Sequence, residues 1–196
     1  MRKIGVIILA AGASTRLGRP KQLLEFKGET LLERIVEDAL ASELITVVVL
    51  GANFGKIKKS IENLPVEIVE NDDWQSGMSS SLVAGLKHLL EIQADLEAVI
   101  VLLCDQPFVD KNTISELVET QKQTNKKIVA GKYAETVGVP ALFMREVFDE
   151  LLKLDKKIGA KSIIKKYAET DLATISVPEA DFDIDTEADF ERLKNI

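Results

Sequence analysis

The chain has 196 residues, 46% of them hydrophobic, enough to bury one sizeable core, and one domain over residues 1–196 is expected. A formal net charge of −7 excludes general attraction to nucleic acid or to an anionic membrane, so any polyanion must be met by local basic groups. A single cysteine, Cys104, excludes an intramolecular disulfide framework and a cysteine-built zinc site, and the apolar run Ile4 to Ala11 is too short to span a membrane and lacks the form of a secretion signal, so a soluble cytoplasmic protein is expected.

In chain order, Ile4 to Leu9 (IGVIIL) predicts a strand buried on both faces, because its hydrophobicity is nearly continuous. The stretch from Leu9 to Lys21 (LAAGASTRLGRPK) follows it without any helical or strand period. Leu31 to Leu40 predicts a helix that starts at Thr30, since Thr30 and Glu33 have the spacing of a capping box. Strand signals at Thr46 to Leu50, Val66 to Val69 and Ala98 to Leu103 then alternate with helix signals at Phe54 to Glu62, Ser79 to Leu90 and Thr113 to Gln123. Such alternation predicts an α/β fold, a three-layer αβα sandwich on a mostly parallel sheet whose ligands gather at the carboxyl ends of the strands.

Beyond Gln123 the pattern is weaker. Strands are expected at Lys127 to Ala130, Val139 to Phe143 and Leu172 to Ser176, helices at Arg145 to Leu152 and Ala160 to Tyr167, with an antiparallel addition at one sheet edge. No internal repeat, low-complexity segment or domain linker is evident, and the lysine-dense stretch Lys153 to Lys166 reads as a solvated helical face.

The glycine stretch fails two familiar phosphate-loop patterns. Walker A needs four residues between its glycines and then Lys-Ser/Thr, whereas five residues separate Gly12 from Gly18 and Arg19 follows; the dinucleotide pattern Gly-x-Gly fails because Ala13 and Ser14 follow Gly12. Its components nonetheless suit a triphosphate: glycines that admit backbone N–H groups, the hydroxyls of Ser14 and Thr15, and the charges of Arg16, Arg19 and Lys21. Composition alone leaves a phosphate loop and a solvated strand-exit turn both open. Asp105 directly follows a predicted strand, which puts its carboxylate at a carboxyl end as a cation ligand or a turn residue. Cys104 should face the other way as a packed thiol, and the lone His88 reads as a helix-surface or packing residue.

LAAGASTRLGRPKQLLEFKGETLLER resembles the signature of nucleotidyltransferases that join a nucleotide to a phosphorylated acceptor. Three later stretches match in order: NDDWQSGMSSSLVAGL, VLLCDQPFVD and FDIDTEADFERL. The Gly-Met-Ser-Ser-Ser and Asp-Gln-Pro motifs narrow the likeness to the molybdenum cofactor cytidylyltransferases, the MocA-like branch of the MobA-like nucleotidyltransferases, over residues 4 to 193. The resemblance implies a Rossmann-like sheet of the nucleotide-diphospho-sugar transferase type. It implies attack of a molybdopterin phosphate on the α-phosphorus of CTP, with pyrophosphate leaving. Such an acceptor is already ionised near neutral pH, so catalysis rests on positioning and charge neutralisation.

Carried over residue by residue, the likeness assigns Arg16 and Lys21 to the triphosphate, and Asp105 with Asp185 to Mg²⁺, Asp183 being the alternative second ligand. It assigns nucleotide contacts to Leu9, Ala10, Ala11, Gly12 and Ser14, and to Gly77, Ser79 and Ser80. Ala10-Ala11, where guanylyl-transferring relatives tend to have Gly-Gly, points to CTP over GTP. Candidate acceptor contacts are Asn71, Trp74, Gln106 and Lys161; Asp185-Thr186 also reads as a helix cap, and Trp74 also reads as a cover for the core. A molybdoenzyme or its chaperone is the partner implied. Two departures concern the acceptor side: Lys156-Lys157-Ile158-Gly159-Ala160-Lys161 replaces a common Gly-Asp-x-Gly-Ala-Arg, and Val139 stands where histidine is common. Transfer to a sugar or polyol phosphate, or a nucleotide-binding module without catalysis, are the alternatives.

Overall fold

The computed structural model describes residues 3–155 and 159–196. Its main sheet has seven strands in the order β5-β4-β1-β6-β8-β7-β9. These are β1 (Ile4–Leu9), β4 (Ile45–Leu50), β5 (Glu67–Glu70), β6 (Ala98–Leu103), β7 (Ile128–Tyr133), β8 (Thr136–Met144) and β9 (Leu172–Ser176). The expected fold class holds. The antiparallel element is β8, enclosed between β6 and β7 and antiparallel to both, so it is not the outermost strand; β9 beyond it pairs parallel to β7. A short hairpin of β2 (Glu25–Phe26) and β3 (Glu29–Thr30) was not legible, since two-residue strands carry no period.

Helices α1 (Leu31–Leu40), α2 (Phe54–Ile61) and α4 (Lys111–Thr124) cover one face of the sheet, and α3 (Met78–Ile92), α5 (Phe148–Leu152) and α6 (Lys161–Lys166) the other. Alternation along β1 divides it between them: Val6 and Ile8 pack with α1 and α2, while Ile7 and Leu9 pack with α3. Thr30 caps α1 as expected, its Oγ1 accepting from the Glu33 N–H while Glu33 accepts from the Thr30 N–H. A third apolar cluster joins Leu17, Leu24, Phe26 and Leu31 to Ile184, Phe190 and Leu193, fastening the glycine stretch to α7 (Glu187–Lys194).

From β1 the chain winds outward through β4 to β5, then crosses by α3 to β6 on the other side of β1. The strand order therefore reverses between β1 and β6, and the crevice at their carboxyl ends is where an α/β sheet offers a ligand site. Residues 156–158 of the altered lysine segment lie outside the described residues.

Gly85 lets α3 lie close to the sheet, since a Cβ there would fall 2.8 Å from Ile7 Cγ2 and 2.9 Å from Val49 Cγ2. Gly85→Val is expected to lower unfolding free energy by about 1–3 kcal/mol through overpacking, read as a reduced urea midpoint with an unchanged slope.

Candidate active site

The glycine stretch is a built turn. Ala10 N–H donates to Val49 O and Ala52 N–H to Ala11 O, so the chain stays beside β4 for two residues past β1. It then closes around Ser14, whose φ is +54°. Ser14 O accepts from the N–H groups of Leu17 and Gly18, and Ser14 Oγ accepts from the Lys21 N–H at 3.1 Å. Gln22, fully buried, clasps the start of the loop by donating Nε2 to Ala10 O at 2.7 Å and to Gly12 O at 3.0 Å. Sequence reasoning passed over Gln22; its one signal is a polar residue followed immediately by Leu23-Leu24 inside the motif. Opposite the loop, Gly51 has no side chain because a Cβ would meet Trp74 Cβ at 2.6 Å and Ala11 O at 2.9 Å.

Four charges meet at this rim. Lys21 Nζ donates to Asp105 Oδ2 at 2.6 Å and to Asp185 Oδ1 at 3.0 Å, and Arg16 Nη2 donates to Asp185 Oδ2 at 2.6 Å. Asp105 leaves the end of β6; Asp185 is brought to it by the Ile184 N–H, which donates to Asp105 O at 3.0 Å, and by burial of Ile184 in the third cluster. Thr186 caps α7 with Asp189 in a capping box, so the expected cap lies one residue after Asp185 and leaves that carboxylate free for Lys21. Side chains of Lys21 and Asp105 are only 13% and 18% exposed, and removing one partner of such a pair costs about 3–5 kcal/mol by leaving the other charge buried alone.

Burial pulls the Lys21 ammonium down, but Asp105 and then Asp185 outweigh it and hold the group well above its ordinary range, fully charged. Asp185 is pushed up by burial yet ends below the usual carboxylate range because Lys21 and Arg16 hold its charge. Asp183 is pushed up to about 6 by partial burial and then by the Asp105 charge. Cys104 is a packed thiol pushed up to about 12 by burial and by Asp105, and His88 Nε2 meets Glu67 on the helix surface at 3.1 Å, away from this rim. Arg19 pairs outward with Glu187 at 2.6 Å.

Two chambers adjoin. The smaller, about 330 Å³, is lined by Leu9, Ala10, Ala11 and Gly12 with Lys21 and Asp105. The larger, about 540 Å³ and mostly apolar, lies over Leu82, Val101 and Val139 with Tyr133 and Thr136 at its wall. Leu9, Gly77, Met78 and Leu103 belong to both, and Met78 is 54% exposed between them. Of the residues expected to contact nucleotide, Gly77 joins the smaller chamber and Ser79 the larger, whereas Ser80 is engaged with Asn71, Asp73 O and Gly77 O.

Three expected acceptor residues lie outside the larger chamber. Asn71 is buried and donates to the Ser80 and Ser81 hydroxyls, securing the start of α3; Gln106 is buried and donates to Ala180 O and Val139 O. Trp74 lines the smaller chamber, and Lys161 alone of the four lines the larger. Tyr133, Thr136 and Leu82 were missed because nothing local marks which faces β7, β8 and α3 turn to the chamber.

Among the described residues no three His, Cys, Asp or Glu side chains gather as a metal cage. The donor set fits a hard divalent cation of the kind that takes one or two carboxylates and completes its shell with phosphate oxygens and water. Asp105 Oδ1 is buried and accepts no hydrogen bond, an oxygen suited to such an ion.

A site at the reversal point of a mostly parallel, covered sheet, with two carboxylates and two cationic side chains at its rim, marks an α/β domain that binds a ligand at its strand ends. The chain belongs to the MobA-like NTP transferase domain family, whose model matches residues 6–171. It is 40% identical over 119 residues to a nicotine blue oxidoreductase of Paenarthrobacter nicotinovorans, a match spanning 59% of this chain and 56% of that one. It is 26% identical over 163 residues to a protein of Bacillus cytotoxicus named "Probable molybdenum cofactor guanylyltransferase", spanning 80% and 78%. The fold superposes on Rv0371c of Mycobacterium tuberculosis with a TM-score of 0.83 at 27% identity, covering 100% of this chain and 98% of that one. Rv0371c has also been solved in complex with manganese, matching with a TM-score of 0.75 at 26% identity over 98% of each chain. Among the described residues no helix is long and apolar enough to cross a membrane.

A carboxyl with a raised folded pKa contributes stability below its ordinary value of 3.8 and loses it as pH rises through about 6. Asp183→Asn is therefore expected to melt about 1–3 °C above the unsubstituted protein at pH 8, the difference closing by about pH 4 in a pH series of thermal melts.

Proposed function

We propose that the protein is a Mg²⁺-dependent cytidylyltransferase that moves CMP from CTP to the phosphate of molybdenum-bound molybdopterin, acting in the cytoplasm as one NTP transferase domain over residues 1–196. The product passes to a molybdoenzyme or its chaperone. The single observation that carries this reading is the meeting of Arg16, Lys21, Asp105 and Asp185, with Lys21 and Asp105 lining the smaller chamber.

Arg16 and Lys21 answer the charge that grows on the leaving pyrophosphate, Arg16 as a fork and Lys21 as a point charge. Asp105 and Asp185 would hold the metal, which when bound neutralises phosphate charge between donor and acceptor. Loop backbone from Ala10 to Gly12 lines the smaller chamber, where small residues let a flat base lie close to the main chain, and the paired alanines there support CTP. The apolar larger chamber supports an acceptor with an extended ring system of low charge, with Lys161 at its edge. The guanylyltransferase name of the Bacillus relative supports a molybdenum cofactor acceptor and makes GTP the rival donor to test.

The test is pyrophosphate release from CTP and from GTP with molybdenum-loaded molybdopterin, the product being read by mass. Asp105→Asn and Lys21→Ala are each expected to lower kcat about 10²–10³-fold. Release with a sugar or polyol phosphate but not with the loaded cofactor would sink the acceptor assignment. CTP binding without turnover, unchanged by Asp105→Ala, would favour a binding module.

A further inference from the structure

The ammonium of Lys21 and a divalent cation need the same oxygens. Lys21 Nζ engages Asp105 Oδ2 at 2.6 Å and Asp185 Oδ1 at 3.0 Å, while Arg16 engages the remaining Asp185 oxygen at 2.6 Å. Only Asp105 Oδ1 of these four oxygens is left without a partner, and it is buried. Two positive and two negative groups thus neutralise one another, with the Lys21–Asp105 pair largely out of water.

Consider each ligand arriving alone. A cation bound to both carboxylates displaces the ammonium from the two oxygens that hold it. A triphosphate that draws Lys21 and Arg16 to its oxygens strands two partly buried carboxylates. Either event separates charges without replacing them, which is costly where Lys21 and Asp105 are largely out of water. Arriving together, the ligands permit an exchange: carboxylates turn to the metal, cationic side chains to the phosphates, and every charge keeps a partner.

We propose that Lys21 is the internal counter-ion of the metal site, withholding Asp105 and Asp185 from a divalent cation until a triphosphate draws the ammonium away. Metal and triphosphate then bind cooperatively through one side chain, and by linkage each raises the affinity for the other by the same factor. This rests on the metal-dependent nucleotidyl-transfer reading above and adds to it a reason why the ion and the donor enter together.

The probe is Mn²⁺ added to the full chain without nucleotide, its free concentration followed by electron paramagnetic resonance. Lys21→Gln is expected to bind Mn²⁺ at least about tenfold more tightly than the unsubstituted protein. Arg19→Gln removes the same charge from a side chain that pairs with Glu187, and should leave Mn²⁺ affinity unchanged. Lys21→Met keeps the apolar stem should the glutamine variant fail to fold, and should tighten Mn²⁺ equally. In the unsubstituted protein, millimolar Mn²⁺ alone should leave the melting temperature where it is. The proposal is overturned if the Lys21 variants bind Mn²⁺ no more tightly, if Arg19→Gln tightens it as much, or if Mn²⁺ alone raises the melting temperature of the unsubstituted protein. Because Mn²⁺ binding needs neither donor nor acceptor, a negative result here leaves nucleotidyl transfer standing, and absence of turnover with any substrate pair leaves this result standing.

Discussion

The rim of this protein depends on one bridging cation, the Lys21 ammonium between carboxylates that lie 84 and 164 residues further along the chain. No local preference can bring such groups together; long-range packing does. Strands β1 and β6 are neighbours in the sheet, so their exits deliver Lys21 and Asp105 to one crevice. The Ile184 N–H on Asp105 O and the apolar cluster beneath it deliver Asp185. Desolvation offsets much of the attraction in a pair of this burial, so the bridge adds little net stability. Its value is positional: it holds two acids and a base within one coordination radius.

That arrangement suits a reaction whose nucleophile is already an anion. Where the attacking oxygen needs no base, the protein's task reduces to holding two anionic substrates in contact and matching their charge. Histidine is accordingly absent from the rim, with His88 occupied by Glu67 on the surface of α3. Met78 follows Gly77 and lines both chambers, which in the proposed reading take donor and acceptor. A flexible thioether stem at such a seam fits ligands of different outline better than a branched side chain would.

Much of the fold was legible because its signals are local. The ends of β1 and β6 and the Thr30–Glu33 cap of α1 follow from continuous hydrophobicity and cap chemistry. The charged members of the site were legible from the motif, since Arg16, Lys21 and Asp105 sit at a strand exit or in a loop of reversed charge. What eluded the sequence were contacts set by tertiary pairing. The place of β8 between β6 and β7 is decided by which neighbours meet, and periodicity is blind to that. Asn71 and Gln106 read as ligand contacts because they are polar residues in a motif; both are buried and hydrogen-bonded within the fold, Asn71 to two serines and Gln106 to two carbonyls. A buried polar group engaged by the fold, as the Asn71 amide is, looks the same in sequence as one awaiting a substrate, and Gln106 is only half engaged, its Oε1 being buried without a partner.

The glycine stretch itself differs physically from a Walker-type loop, in which a ring of free backbone N–H groups cradles phosphate. Here the N–H groups of Leu17, Gly18 and Lys21 are turned inward to Ser14, and the carbonyls of Ala10 and Gly12 are held by Gln22. These bonds hold the loop's shape, and in the reading proposed above Arg16, 69% exposed, and Lys21 would bring side-chain charge to a triphosphate. Those charges are already held by Asp105 and Asp185, so a triphosphate would have to compete for them. In that reading the loop's backbone would define where the donor lies, and its cationic side chains when the carboxylates become available.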